Sequence, residues 1–216
     1  MSKLVAPEPC PLCQTQCDEE FSRDKKRPYL QCPHCKLVFV PRHFHLSAQQ
    51  EKAEYDKHQN QADDMGYRRF LARTVTPLIK QLPKNAQGLD FGCGPGPTLS
   101  LMMQEADLAC DNYDLYYFNH PELLQRQYDF ITMTEVIEHL ATPINQLQQL
   151  DQLLKPSATL AVMTKRVLSA DKFKNWHYKN DPTHICFYSI ETFEYISDQF
   201  NWKLDIIDQD VVFFEK

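Results

Sequence analysis

The 216-residue chain lacks the features that mark membrane, secreted or strongly basic proteins. No apolar run approaches the 18 residues of a membrane span, and the start MSKLVAPEPC has no apolar signal-peptide core. A net charge of −6 disfavours a nucleic-acid partner held by bulk charge, without excluding one that binds a local basic patch. These absences predict a cytoplasmic protein with no membrane contact. Its eight cysteines should then be thiols or metal ligands rather than disulfides.

Glycine is scarce as well, and its distribution is the most informative feature of the chain. Three of the five glycines occupy alternate positions of one loop, at Gly92, Gly94 and Gly96. Residues 88–97 form an apolar run ending in an acid, then these glycines, then a proline suited to a helix start. Glycine lets the backbone approach a ligand closely, and a helix start offers free N–H groups. The pattern predicts a nucleotide-type site.

This loop resembles motif I of the class I S-adenosylmethionine (SAM)-dependent methyltransferases. Its spacing is G-x-G-x-G, with Asp90 two residues before Gly92, whereas the dinucleotide fingerprint is G-x-G-x-x-G. The resemblance implies that Asp90 orders the loop and reaches the SAM amino group. It also implies that Gly92, Cys93, Gly94 and Gly96 hold the cofactor. An unspecific turn or another nucleotide cofactor is the alternative.

Beyond the loop, strand and helix patterns alternate, which predicts a parallel sheet with helices on its faces. The expected fold class is α/β, a doubly wound and mostly parallel Rossmann-like sheet, and the resemblance implies a closing antiparallel strand. Only 14 residues separate Asp114 from Asp129, so the region after the second strand is shortened. We predict three parts: a zinc ribbon over residues 1–41, a helical connector or cap over 42–86 and a SAM-binding methyltransferase domain over 87–216.

Two C-x-x-C pairs near the start predict a four-thiolate zinc site in the ribbon. The pairs are separated by 18 residues and comprise Cys10, Cys13, Cys32 and Cys35. A closed four-cysteine site is structural, because it leaves no open coordination position for chemistry. Cys17 and His34 are near enough to be substitute ligands, and free or disulfide-bonded cysteines are the alternative. The ribbon could serve folding, substrate capture or dimerisation.

Acids near the end of the second strand are candidates for binding the SAM ribose. Carboxylates at this place bind ribose hydroxyls in doubly wound nucleotide sites, and Asp114 lies 18 residues beyond the last glycine of the loop. Asp111 is the alternative if the strand ends earlier, and both acids could also be solvated loop residues. Leu115 could cover the adenine. The resemblance implies that Thr134 and Glu135, at the end of the fourth strand, line the methionine portion.

Two polar blocks should face each other across the pocket, because both follow core strands of the predicted sheet. The first is TEVIEHL, with Glu135, Glu138 and His139, and the second spans residues 176–188 and includes His184. Either histidine could be the general base on an acceptor hydroxyl or amine. The E-x-x-E-H block also resembles that of small-RNA 2′-O-methyltransferases and ubiquinone-pathway O-methyltransferases, which implies that these four residues bind a divalent metal such as Mg²⁺. The block also occurs in metal-free methyltransferases, where it supports the SAM pocket.

The sequence therefore predicts a SAM-dependent methyltransferase that acts on an oxygen or nitrogen atom of a small molecule. SAM carries the activated methyl group, so the enzyme aligns acceptor, methyl and sulfur and excludes water. One alternative is an RNA methyltransferase guided by the ribbon and basic residues 25–27, and another is a non-catalytic SAM- or zinc-binding interaction protein. The D/N-P-P-F/Y/W motif of DNA and RNA amino-methyltransferases is absent after the fourth strand, which disfavours N-methylation of bases. The identity of the acceptor and the oligomeric state are left open.

Overall fold

The structure, a computed structural model, describes residues 7–57 and 61–216. Residues 1–6 and 58–60, which fall within the predicted ribbon and connector, lie outside the described residues. The strands are β1 Glu8–Pro9, β2 Gln16–Cys17, β3 Glu20–Arg23, β4 Pro28–Gln31, β5 Val38–Phe39, β6 Gln87–Phe91, β7 Ala109–Tyr113, β8 Tyr128–Thr134, β9 Leu154–Met163, β10 Cys186–Phe187, β11 Lys203–Ile206 and β12 Val211–Glu215. The helices are α1 Ala48–Tyr55, α2 Met65–Gln81, α3 Thr98–Gln104, α4 Pro143–Leu153, α5 Ala170–Lys174 and α6 Ile190–Phe200. Within the described ranges, none of the helices is both long and apolar enough to cross a membrane.

A six-stranded sheet forms the centre of the C-terminal part, with the strand order β11-β12-β9-β8-β6-β7. Strands β6, β7, β8 and β9 are parallel, whereas β12 pairs antiparallel with β9 and β11 pairs antiparallel with β12. This topology confirms the predicted mostly parallel α/β sheet and its closing hairpin. The shortened region after β7 holds the 3₁₀ turn Pro121–Gln125, and β7 is the edge strand.

Helices cover both faces of this sheet because successive side chains of a buried strand point into two opposite apolar layers. On β9, Val162 packs in the layer that contains α4 and α6, while Met163 packs in the layer that contains α2 and α3. Gly88 on β6 lies against the ring of Phe130 on β8, and a Cβ at Gly88 would come within 2.0 Å of that ring. The glycine therefore allows these two neighbouring strands to pack.

The ribbon strands join the rest of the molecule through a second sheet of four strands, in the order β10-β5-β4-β3. Three of these strands belong to the ribbon, whereas β10 comes from the C-terminal part of the chain and pairs antiparallel with β5. The ring of Phe173 lies 5.0–5.3 Å from the rings of Phe21, Tyr29 and Phe187, which joins both parts in one apolar core. The division at residues 41 and 86 stays a prediction, but the two sides of the first boundary share a sheet.

Candidate active site

A cavity of about 870 Å³ opens at the carboxyl ends of β6, β7, β8 and β9, where α/β sheets bind ligands. Its volume is within the range of small-molecule and cofactor sites. Ten of the predicted site residues line it: Asp90, Gly92, Cys93, Gly94, Asp114, Leu115, Thr134, Glu135, His139 and His184. Gly96 does not line it. Its carbonyl accepts the Thr98 N–H at the start of α3, at 2.7 Å. Glu138 is fully buried beside the cavity.

The glycine loop takes a backbone conformation that other residues rarely adopt. Gly92 has φ +78° and Gly94 has φ +65°, both in the left-handed region. A Cβ at Gly92 would also lie 2.5 Å from a methyl group of Val136. The N–H groups of Gly92 and Cys93 donate to the carbonyl of Tyr113, at 2.8 and 3.2 Å, which ties the loop to the end of β7. The loop is thus fixed by geometry that only glycine at position 92 permits.

Asp90 is a buried acid at the floor of the cavity, with 2% of its surface exposed. The Thr132 hydroxyl donates to its Oδ1 at 2.7 Å. Burial raises the pKa of Asp90 to about 7, the Thr132 hydrogen bond opposes this shift, and the charge of Asp114 adds to it. Near pH 7, a cationic ligand group beside Asp90 would therefore favour its charged form.

Asp114 holds two loops together with one carboxylate. Its Oδ2 accepts the Gly94 N–H at 3.0 Å, while its Oδ1 accepts the N–H groups of Tyr116 and Tyr117 at 2.8 and 3.1 Å. The carboxylate thus lies on the cavity between the glycine loop and the loop after β7. Asp111 is placed differently: it is outside the cavity lining, and its Oδ2 lies 3.5 Å from Nη1 of Arg126.

Glu135 combines an unusual backbone with a buried carboxylate. Its φ of +55° places a non-glycine residue in the left-handed region, which costs about 1–3 kcal/mol and is typical of functional sites. Its Oε1 is buried and has no hydrogen-bond partner among the described residues. Burial raises the pKa of Glu135 to about 7, against a lowering contribution from Tyr178. This orphaned oxygen belongs to a residue that lines the cavity, so it is placed to accept a hydrogen bond from a ligand.

Beside Glu135, the two polar blocks meet in a compact cluster of Glu138, His139 and His184. One potential ligand atom from each of the three lies within 4.8 Å of the others, and the two imidazole rings are 4.7 Å apart. Nδ1 of His139 lies 3.1 Å from the Thr183 carbonyl, and Nδ1 of His184 lies 2.7 Å from the Tyr178 carbonyl. A carbonyl accepts only, so each ring donates through Nδ1, and in its neutral form the lone pair is on Nε2. Nε2 of His184 also lies 3.8 Å from Oδ2 of Asp181.

Glu138 is held differently from the two histidines. The hydroxyl of Tyr178 donates to Glu138 Oε1, and the Thr164 hydroxyl lies 3.1 Å from the same tyrosine oxygen. Burial, reinforced by the nearby Glu135 charge, raises the pKa of Glu138 well above its usual range. Two carboxylates and two imidazoles therefore share one edge of the cavity, an arrangement that can take up a proton or bind a cation.

Several residues that contact this site do not follow from the sequence interpretation. The sequence groups Arg27 with two lysines in a basic patch, yet it is buried and its guanidinium donates to the loop that carries His184. Lys165 and Glu51 also line the cavity. Lys165 follows the strand β9, and that position was a usable signal because ligand-binding residues follow the carboxyl ends of strands. No comparable signal marks Arg27 or Glu51.

The four cysteines of the C-x-x-C pairs converge as predicted. Their sulfurs all lie within 4.8 Å of one another, with Cys10 and Cys35 at 3.5 Å and Cys13 and Cys32 at 3.3 Å. A tetrahedral site with Zn–S bonds of about 2.3 Å needs sulfurs about 3.8 Å apart, so the donor set fits zinc. The suggested substitutes are engaged elsewhere. The Cys17 thiol donates to the Thr15 carbonyl, and the His34 ring packs 5.2 Å from that of Tyr195.

Comparison with known proteins identifies the fold and the family. A methyltransferase domain family matches residues 59–205, about two thirds of the chain. The chain therefore belongs to this methyltransferase family, and it is a SAM-dependent methyltransferase with a Rossmann-like domain. A SAM-dependent methyltransferase from Archaeoglobus fulgidus is 18% identical with a TM-score of 0.51, covering 68% of this chain and 93% of that one. The likeness at this identity shows a shared fold.

A second solved structure is the plantazolicin methyltransferase BpumL in complex with a monoazolic desmethylPZN analog and S-adenosylhomocysteine (SAH). It is 15% identical with a TM-score of 0.48, and the match covers 78% of this chain and 89% of that one. No curated protein matches the chain.

Proposed function

We propose that this enzyme transfers the methyl group of SAM to an oxygen or nitrogen atom of a small molecule. The observation that carries the proposal is the single cavity of about 870 Å³, which is continuous from the glycine loop to His139 and His184. Helix α1 lies along this cavity, where the Tyr55 ring packs 5.3 Å from that of His139. An acceptor must therefore share this cavity with the cofactor, which favours a compact molecule.

The cofactor residues of this proposal lie at the carboxyl ends of β6 and β7. Asp114 would accept hydrogen bonds from both ribose hydroxyls, and Leu115, which is 62% exposed on the cavity, would cover the adenine. The N–H groups of the glycine loop and the backbone at Thr134 would line the methionine portion. Asp90 would face the ammonium group, whose positive charge matches a buried carboxylate.

On the acceptor side, Nε2 of His139 or of His184 would take the acceptor proton. As the acceptor lone pair forms its bond to the methyl carbon, the carbon–sulfur bond breaks and SAH leaves with the electron pair. The acceptor proton passes to the imidazole, which makes the group more nucleophilic during the attack. The backbone carbonyls at Nδ1 of each ring hold the tautomer that this step requires.

A second mechanism has a specific observation in its favour, the cluster of Glu138, His139 and His184. Two imidazoles and a carboxylate form a donor set for a divalent ion, and each imidazole is oriented by a carbonyl, as metal-ligating histidines usually are. A bound ion would supply Lewis-acid chemistry that lowers the pKa of the acceptor hydroxyl. The nitrogen donors favour Mn²⁺ or another transition metal over Mg²⁺.

The ribbon completes the proposal with a structural zinc ion held by its four cysteines. The hydrogen bond with the thiol of Cys35 lowers the pKa of Cys10 to about 6 and raises the pKa of Cys35, so Cys10 is the cysteine of this pair that forms a thiolate more readily. All eight cysteines are free of disulfides, which suits a reducing cytoplasm. The RNA-guided alternative has less support, because Arg27 of the basic patch is buried against protein carbonyls.

Calorimetric titration of the zinc-loaded protein with SAM and SAH tests the cofactor site. We expect micromolar binding of both, followed by turnover in a screen of hydroxyl- and amine-bearing small molecules. Parallel titrations with Mn²⁺ and Mg²⁺ in the presence of SAH separate the two mechanisms, since only the metal mechanism predicts stoichiometric ion binding. Absence of SAM and SAH binding would overturn the proposal. Methylation of RNA alone would replace the small-molecule acceptor.

A further inference from the structure

Arg27 lies in the turn between β3 and β4, and only 6% of its surface is exposed. We propose that Arg27 is a positioning residue for methyl transfer, which holds the loop of residues 177–184 so that His184 meets His139 and Glu138. This inference rests on the proposed function of that cluster. It assigns the ribbon a direct role in shaping the acceptor side of the cavity.

The guanidinium of Arg27 makes four hydrogen bonds to one short loop. Nη1 donates to the Pro182 carbonyl at 3.0 Å, and the two hydrogens of Nη2 are shared among the carbonyls of Lys179, Asp181 and His184 at 3.0, 2.8 and 2.8 Å. A buried carbonyl without a hydrogen-bond partner is destabilising, so these bonds favour one loop conformation. The loop is folded around the arginine.

The same loop uses its other carbonyls to orient the two histidines. Nδ1 of His184 faces the carbonyl of Tyr178, and Nδ1 of His139 faces the carbonyl of Thr183. Arg27 and the two imidazoles therefore engage six of the seven carbonyls of residues 178–184. A shift of the loop away from Arg27 would move both acceptors at once, so the ring orientations depend on the guanidinium.

Arg27 is itself fixed by the hairpin of the ribbon. Asp24 Oδ1 accepts the Arg27 N–H at 2.9 Å, while Asp24 Oδ2 accepts the Tyr29 hydroxyl at 2.7 Å and lies 3.2 Å from Nζ of Lys179. The guanidinium carbon lies 5.5 Å from the centre of the Tyr29 ring. Strand β4 then leads directly to the cysteine ligand Cys32. The zinc cluster, the hairpin and the histidine loop thus form one connected unit.

The geometry requires arginine in particular. A guanidinium is a flat fork with five N–H donors and can serve several carbonyls together, whereas a lysine ammonium has three donors on one nitrogen. Arg27→Lys keeps the positive charge and loses the planar set of N–H donors, whereas Arg27→Gln loses both the charge and that donor set. Arg23→Gln is the matched control, because Arg23 is exposed on the same hairpin and pairs with Glu20.

Nitrogen NMR of the full-length, zinc-loaded protein reads the tautomers of His139 and His184 directly, and needs neither SAM nor an acceptor. In the wild type and in Arg23→Gln we expect both rings to be protonated on Nδ1. In Arg27→Lys we expect His184 to lose this single tautomer, while the SAH dissociation constant stays within about twofold. Turnover with the acceptor found by screening should fall about 10–100-fold, as for other residues that orient catalytic or metal-binding groups.

A folded Arg27→Lys variant with the wild-type nitrogen signals and wild-type turnover would overturn the inference. Loss of zinc and of folding in both Arg27 variants would also overturn it, because the arginine would then act only through the stability of the ribbon. If the wild type binds no SAH, the proposed function fails, but the tautomers of the variants still test the role of Arg27.

Discussion

The cofactor half and the acceptor half of the cavity are built in different ways. The cofactor half, residues 88–115, is one continuous stretch that contains the glycine loop and Asp114. The acceptor half joins Arg27 to residues 135–139 and 176–188, and it depends on side chains that contact carbonyls far along the chain. In the proposed function, the cofactor half would bind SAM through residues that are close together in the sequence. The acceptor half forms only when segments that are distant in sequence come together, so a substitution far from the cavity can change its shape.

Removal of a zinc ligand should have the largest effect and should affect the acceptor half more than the cofactor half. We expect Cys32→Ser to reduce bound zinc from about one per chain to nearly none and to lower the free energy of unfolding by about 4 kcal/mol. We expect this variant to lose more turnover than SAH affinity, because the ribbon supports the acceptor half. Metal analysis and urea unfolding measure the two effects.

Cys17→Ser is the matched control for this prediction, because Cys17 is buried beside the cluster without belonging to the four converging sulfurs. It should retain its zinc. A metal-free but fully stable Cys32→Ser protein would contradict the prediction.

The next largest effect concerns the cofactor half. We expect Asp114→Asn to weaken SAM binding about 100-fold, which corresponds to about 2.8 kcal/mol, because both the ribose hydroxyls and the loop N–H groups that it holds would lose a charged acceptor. Asp111→Asn, only three residues away but outside the cavity lining, should leave affinity unchanged. Calorimetry on both variants gives the answer. Equal effects of the two substitutions would assign them to the local fold rather than to the ribose.

The pH dependence of SAH binding tests whether Asp90, in the cofactor half, faces the ligand ammonium group. Burial raises its pKa to about 7, so in the free protein this group stabilises the fold at low pH and loses that contribution as pH rises through 7. A ligand ammonium favours the carboxylate, so binding below pH 7 must release a proton. We expect affinity to rise up to about tenfold per pH unit between pH 6 and 7 and then to level off.

Titrations in two buffers with different ionisation enthalpies measure this proton release. Asp90→Asn should remove the pH dependence. A flat affinity profile in the wild type would show that Asp90 does not face the ammonium group.

The smallest expected effect lies where the two halves touch. The carboxylate of Glu51 on α1 accepts hydrogen bonds from the hydroxyls of Tyr55, at 2.7 Å, and Tyr116, at 3.1 Å. Tyr55 packs on His139, and Tyr116 lies in the loop after β7. Glu51→Gln should weaken SAH binding about two- to fivefold, because a neutral amide accepts such bonds less strongly. Glu54→Gln on the same helix, which pairs with exposed Lys57, should have no effect. An equal loss in both variants would point to helix stability instead.

Prediction from the sequence succeeded where the site is local. The order of strands and helices, the glycine loop and the converging cysteines follow from hydrophobic periodicity and from spacing along the chain, and the structure agrees with them. Asp90 lies near the carboxyl end of β6 and Asp114 directly follows β7, so both lie at the cavity. The roles of the individual site residues stay predictions.

The rest depends on contacts that spacing does not encode. Arg27 stands between lysines and a proline and resembles any exposed cation, and its burial follows only from the carbonyls that surround it. The meeting of Glu138, His139 and His184 was expected from strand topology, whereas the carbonyls that orient the imidazoles were not. Such contacts require the three-dimensional path of residues 177–184.

The shared sheet of ribbon and C-terminal part has a consequence for synthesis on the ribosome. All four cysteines lie within residues 10–35, so they can capture zinc as soon as they emerge. The carbonyls that receive Arg27 are made 152 to 157 residues later, a delay of roughly 8–30 s at ordinary translation rates. Until Cys186–Phe187 emerges, β5 is an unpaired apolar edge that can pair with other chains. A nascent chain of this enzyme therefore exposes an aggregation-prone strand edge for most of its synthesis. The yield of folded enzyme should depend on chaperones that cover such edges.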